Sequence, residues 1–248
     1  MGAIINSINQ LLNRTGKNTK IPVLLYHNFV TDSSTVPSYN LDYTCTPSQF
    51  EENMTTLLNN GYHVISFLQL YNAVKKRDKL PAKPMIITLD DGLIGQYNYA
   101  FPIIKKLNIH AGAFIVPDWL GKTTDDGTYF TWPQANEMKK SGYIDILSHS
   151  MKHMHYLGVP INQFVSDTAE SFSIINQKIG AYPIEVYAYP YGNYNIQMVQ
   201  ALKKSGVSIQ VMDLGVDTFE KINLSNVRRL NIPINYTGEQ IMQEINNE

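Results

Sequence analysis

Cysteine is almost absent from this chain: Cys45 stands alone among 248 residues. No internal disulfide can form, and a chain this poor in cysteine suits either the cytosol or the outside of a bacterial cell. Cys45 has no basic neighbours that would activate a thiol, so it is expected to be inert. Charge is scarce as well. Only 17% of the residues are charged and the net charge is −1, which leaves no basic surplus to hold a phosphate backbone and argues against nucleic acid as a partner. No apolar run reaches the roughly 20 residues of a membrane-spanning helix. The stretch Met1–Lys20 lacks the apolar core of an export signal. It reads as a short amphipathic helix (Ile4, Ile5, Ile8, Leu11, Leu12) followed by a polar linker, so residues 1–20 are set apart from a domain over 21–248. Histidine also runs out early, since none of the six lies beyond His155.

What is present is a core. Hydrophobic residues make up 44% of the chain, enough for one large domain. After Pro22 the run Val23-Leu24-Leu25-Tyr26-His27 reads as a buried strand. Thr46-Pro47 opens a helix that stops at Gly61, and Ser66 caps another after the short strand Val64-Ile65. From there strands and helices alternate. Strands are expected at Met85–Leu89, Ala111–Val116, Ile144–Leu147, Val186–Ala188, Val207–Val211 and Leu230–Ile232. Helices are expected at Tyr97–Leu107, Trp132–Ser141, Ile161–Ile179 and Ile196–Ser205, with a last one opening at Thr237. Alternation of this kind implies an α/β fold with a parallel sheet, here a distorted (β/α) barrel of about seven strands. In such folds chemistry gathers at the C-terminal ends of the strands.

Three segments meet that condition. Asp90-Asp91-Gly92 follows the strand ending at Leu89. Asp-Gly is a common turn pair, but two adjacent carboxylates repel unless a cation or proton lies between them. His149 and His153 follow the strand ending at Leu147, and a spacing of four places two imidazoles on one face of a helical turn. Tyr189-Pro190-Tyr191-Gly192 follows the strand Val186–Ala188, as a loop able to aim backbone N–H groups into a cleft. An Asp with two His suits Zn²⁺ or its neighbours Co²⁺ and Ni²⁺, and three protein ligands leave room for water, as a catalytic site requires.

Thr88-Leu89-Asp90-Asp91-Gly92 resembles the Thr-Phe-Asp-Asp-Gly signature of the NodB-like polysaccharide deacetylases, carbohydrate esterase family 4, and His149-Ser150-Met151-Lys152-His153 resembles that family's His-Ser/Thr-x-x-His motif. The likeness continues through Leu80–Pro84, Ala113–Val116 and Tyr187–Gly192, over about residues 21–245. The resemblance implies Asp91, His149 and His153 as metal ligands and Asp90 as catalytic base. It implies that the loop at Pro190-Tyr191 supplies an oxyanion-holding N–H.

There are departures from the pattern. Leu89 replaces the usual Phe, Tyr187 stands where an Arg normally partners the base, and Leu230-Asn231-Ile232-Pro233-Ile234 lacks the usual C-terminal histidine. His27 is therefore the candidate acid for the leaving group. Its Tyr-His setting resembles the branch that deacetylates poly-β-1,6-N-acetylglucosamine. Arg229 is the candidate partner for Asp90, with Arg228 as rival; His63, His110 and His155 are read as structural. The expected function is metal-dependent N-deacetylation of an N-acetylglucosamine-containing polysaccharide at the surface or outside of a bacterium, by a monomer. A catalytically impaired sugar-binding relative and an O-acetyl esterase on the same site are the alternatives.

Overall fold

The apolar runs pair with one another, and every pairing among them is parallel. The strands are β1 (Val23–Tyr26), β2 (His63–Val64), β3 (Pro84–Asp91), β4 (Ala111–Ile115), β5 (Ile144–Ser148), β6 (Val186–Ala188), β7 (Ile209–Val211) and β8 (Leu230–Asn231). Their order is β7-β6-β5-β4-β3-β1-β8, with β2 lying along the first residues of β3. The seven strands of this path curl into a half-barrel, the architecture expected from the alternation of strands and helices. This computed structural model describes residues 18–248 apart from 33, 35–37, 126, 213 and 214. The helix expected over Ile4–Leu12 lies outside the described residues. Lys20 and Ile21 already belong to the fold, pairing antiparallel with Thr218 and Asp217.

The helices are α1 (Pro47–Asn59), α2 (Phe67–Lys76), α3 (Phe101–Lys106), α4 (Trp132–Lys140), α5 (Ile161–Ile179), α6 (Ile196–Lys204) and α7 (Gly238–Asn247). Their starts follow the capping rules. Thr46 accepts the Gln49 N–H with Pro47 in the first turn, while Ser66/Gln69, Thr131/Gln134 and Thr237/Gln240 form reciprocal capping boxes. One helix departs from expectation. The segment expected as a helix from Tyr97 begins as a π-helical turn, Gln96–Ala100, and becomes α-helical only at Phe101.

Side chains alternate between two layers, as the strand repeat dictates. Val23, Ile86, Phe114, Leu147, Val186, Ala188, Ile209, Val211 and Val227 form one cluster, the inner face of the curl. Leu24, Tyr26, Ile87, Leu89, Ala113, Ile115, Ile146 and Leu230 form another with Phe50, Met54 and Leu57 of α1 and Ile241 and Ile245 of α7. Each large side chain buried this way contributes roughly 1.5–3 kcal/mol. Counting inner positions upward in steps of two sets the site. Ile86 leads to Thr88 and Asp90, Leu147 to His149, Val23 to His27, and Val227 to Arg229.

The curl is tied across its opening by one segment. Val227 bridges Val211 on the β7 edge, with the Met212 N–H donating to the Val227 carbonyl at 2.8 Å. Three residues on, Leu230 pairs with Leu24 on the β1 edge. Arg229 lies between these two attachments and so points into the barrel.

Candidate metal centre

β3 runs further than its apolar residues predict. Backbone pairing with β4 continues through Asp90↔Phe114 and Asp91↔Ile115, although pairing with β1 stops at Leu89. Asp90 thus ends on the inner face, fully buried. Asp91 follows with φ of 76°, a left-handed conformation that turns its carboxylate back over the rim. There Asp91 Oδ1 lies 3.5 Å from His149 Nε2 and 3.3 Å from His153 Nε2. The three donor atoms all lie within 4.8 Å of one another.

The two histidines do not share a helical turn. The loop after β5 is irregular, with Ser150 at φ 67° and His153 at φ 53°, and the Ser150 hydroxyl accepts the His153 N–H at 2.8 Å. A spacing of four also fits a tight left-handed loop, and that is the solution adopted. Asp167 of α5 holds this loop down, accepting the Met151 N–H at 3.0 Å and the Tyr156 hydroxyl at 2.5 Å. Four of the eight described non-glycine residues with positive φ lie around the site: Asp91, Ser150, His153 and Tyr191. Such conformations cost about 1–3 kcal/mol each and gather where geometry serves function.

The donor set fits a divalent cation. Tetrahedral bonds of about 2.0–2.1 Å place neighbouring ligand atoms roughly 3.3–3.4 Å apart, close to the separations between Asp91 and the two imidazoles. Asp91 Oδ1 is buried and accepts no hydrogen bond, an arrangement that a cation satisfies. His149 Nδ1 is 2.9 Å from the Ala188 carbonyl; that contact places the proton on Nδ1 and leaves Nε2 as a lone pair toward the site. Burial above all, with repulsion whenever His149 is protonated, pushes His153 down to about 2, so it presents a neutral imidazole. Burial and the charge of Asp90 raise Asp91, against His27 and His149, in the metal-free protein.

Asp90 is held differently. Its Oδ1 receives Arg229 Nη1 at 2.7 Å, with both side chains buried. Arg229 also lies over the Phe114 ring at 5.6 Å and donates to the Met212 carbonyl. Burial opposes ionisation of Asp90, but Arg229, His149 and His27 outweigh it, and the carboxyl titrates below its ordinary value. Its second oxygen accepts no hydrogen bond and faces His149 Nε2 at 3.5 Å. Of the two adjacent arginines, Arg229 reaches Asp90, while Arg228 pairs with Asp217 at 3.0 Å. Tyr187, in the position of the usual arginine, is buried among Phe164 and Tyr189 instead.

These groups line a cleft of about 320 Å³ that also includes His27, Tyr43, Trp119, Tyr129 and Tyr191. His27 is half-buried, its ring edge-on to Tyr43 at 5.0 Å and its Nδ1 without a hydrogen-bond partner. Tyr191 is half-exposed at the rim. His155, read as structural, stacks on Tyr191 at 3.8 Å. His110 pairs with Asp145, and His63 meets the Ala82 carbonyl. Sequence reasoning passed over Gln96, Asp167 and Trp119. Gln96 and Asp167 are buried polar residues inside helical segments, where the only sequence signal is a polar side chain on an otherwise inward face.

The polysaccharide deacetylase family profile matches residues 77–209, more than half of the chain. The Bacillus subtilis protein YxkH is 30% identical over 200 residues, spanning 80% of this chain and 66% of its own length. A poly-β-1,6-N-acetyl-D-glucosamine N-deacetylase of Staphylococcus epidermidis is 27% identical over 67% of this chain and 60% of its own. The chain therefore spans less than two thirds of each of these relatives. The structure of IcaB from Ammonifex degensii superposes with a TM-score of 0.80 at 22% identity, covering 92% of this chain and 98% of that one, a likeness of fold. Profile, sequence relatives and fold converge on one assignment: the chain belongs to the polysaccharide deacetylase family.

Proposed function

We propose that this protein is a metal-dependent hydrolase that removes N-acetyl groups from a polymer of β-1,6-linked N-acetylglucosamine, or one closely like it. The observation that carries the proposal is a single rim. Three cation donors, an ionised carboxylate beside them and a histidine from the first strand open on the same cleft. The Staphylococcus epidermidis relative's name supplies the substrate class. Such a polymer lies outside the cell, so the proposed site of action is the bacterial surface, with the protein working as a monomer.

Asp91, His149 and His153 would hold the cation, Zn²⁺ by preference for this donor set. A bound cation supplies Lewis acidity, polarising the acetyl carbonyl and lowering the pKa of water. Asp90 is the general base: Arg229 keeps it ionised, and its second oxygen accepts the proton of the attacking water. The Tyr191 N–H donates to the carbonyl oxygen as charge develops there. Protonated His27 gives its proton to the departing nitrogen. The carbon–oxygen bond forms, the carbon–nitrogen bond breaks, and acetate and a free amino sugar leave.

The test is acetate release from poly-β-1,6-N-acetylglucosamine, chitooligosaccharide, peptidoglycan fragments and an O-acetylated sugar, with and without added Zn²⁺ or Co²⁺. Metal-stimulated release, strongest on the first substrate, is expected. Absence of release from all of them with sugar binding intact would overturn the proposal in favour of a binding protein. Asp91→Ala should lose bound metal and activity together, and a fully active, metal-free Asp91→Ala protein would sink the assignment.

A further inference from the structure

We propose that Gln96 is a positioning residue that sets the geometry of His27, Asp90 and Asp91 at once. The backbone ladder between β1 and β3 ends at Tyr26↔Leu89. One residue further, where His27 would face Asp90, the side chain of Gln96 takes its place. Its Nε2 donates to the His27 carbonyl at 2.9 Å and to the Asp90 carbonyl. The residue is fully buried, at the start of the π-helical turn that follows β3. The orientation of the amide is fixed by its partners: rotated by half a turn, Oε1 would meet two carbonyl oxygens, acceptor against acceptor.

The second bond acts on the metal side. The Asp90 carbonyl shares its peptide plane with the Asp91 nitrogen, so holding that carbonyl fixes one end of the torsion that stands at 76° in Asp91. A non-glycine residue keeps such a conformation only where its surroundings enforce it. That torsion directs the Asp91 carboxylate toward His149 and His153. Through two hydrogen bonds, then, one amide ties the candidate acid to the candidate base and holds a candidate ligand in its turned-back conformation.

Gln96→Met keeps the length of the side chain and removes both donors. Gln96→Glu keeps the shape and sets a carboxylate against two carbonyls, which guards against a fold specific to the first variant. For each folded variant, Zn²⁺ is titrated into metal-free protein in competition with a chromophoric chelator. The expected result is binding about 10–100-fold weaker, the usual effect of losing a group that orients a metal ligand. At saturating Zn²⁺, kcat for acetate release should fall roughly 10–100-fold with KM within about threefold, as a misplacement near 1 Å predicts. A residue needed only for folding would lower the melting temperature and leave both quantities alone. Zn²⁺ affinity or kcat within threefold of wild type in a folded variant overturns the proposal. Only the kinetic arm rests on the deacetylase reading. If the wild-type protein releases no acetate, that reading fails, and the Zn²⁺ titration still decides the role of Gln96.

Discussion

Replacing Arg229 by methionine puts the electrostatics of the site to a direct test. Asp90 is completely buried and Arg229 is 1% exposed, with 2.7 Å between their charged atoms. Methionine fills much of the arginine volume, so the change removes charge more than packing. Taking one partner from a buried pair costs about 3–5 kcal/mol, because the other charge is left without compensation. For a protein of this size that is a fall of roughly 6–20 °C in melting temperature. The function should move with it. In the proposed mechanism Asp90 acts ionised, and burial, the largest influence on it, favours the neutral acid. With Arg229 gone burial prevails, the carboxyl titrates higher, and the acidic limb of kcat/KM shifts to higher pH. Thermal unfolding at neutral pH and a pH–rate profile in saturating Zn²⁺ measure the two effects. Arg228→Met is the comparison: the arginine of its pair with Asp217 is 41% exposed, so solvent reaches that pair and its loss should cost less than the loss of Arg229. Adding Asp90→Asn to Arg229→Met should recover part of the stability and none of the activity. A loss below about 1 kcal/mol in Arg229→Met, with an unchanged acidic limb, would refute the account of how Asp90 stays ionised.

His27→Ala should retain metal, measured by elemental analysis, and lose about 10²–10⁴-fold in turnover, the range for a general acid; unchanged turnover removes His27 from the mechanism. Gly95 packs so closely on Phe29 that an added Cβ would collide with the Phe29 carbonyl oxygen. Gly95→Ala should therefore cost about 1–3 kcal/mol in urea unfolding, and a neutral effect would mean the seam yields freely. Asp145 is largely buried, which opposes its ionisation, but His110 and Lys139 outweigh burial and lower its carboxyl pKa. The stability it contributes is present above the unfolded value and lost as pH falls through the lower folded value. Asp145→Asn should then cost about 2 kcal/mol at neutral pH, with the gap to wild type closing below about pH 3.9. A gap independent of pH would contradict the shift.

Much of this architecture can be read from the sequence, because short apolar runs bounded by caps and glycines have few alternatives. Ile161–Ile179 and Val186–Ala188 fall where the pattern puts them. The strand carrying Asp90 and Asp91 is misjudged by pattern alone, since two carboxylates and a glycine resemble a turn, and only the pairing with β4 reveals a strand. The histidine pair is recognisable by spacing, yet spacing cannot tell a helical turn from a loop with two left-handed residues. Arg228 and Arg229 are indistinguishable by composition. What separates them is the alternation from Val227 inward and Leu230 outward, legible once those two layers are known. The polar side chain of Gln96 on an inward face is a faint signal, and nothing in it names its partners, a carbonyl six residues back and another 69 residues away.

The segment from Val227 to Leu230 has a consequence for biosynthesis. Asp90 and its counterion are 139 positions apart in the chain, so during translation Asp90 is made long before Arg229 emerges. Without that stretch, β7 and β1 would each present an unpaired edge, and Asp90 would be buried without its cation. Open strand edges invite pairing with other chains. The same four residues thus cover both sheet edges and supply the counterion of Asp90, so closure of the sheet and neutralisation of its buried carboxylate are a single structural feature.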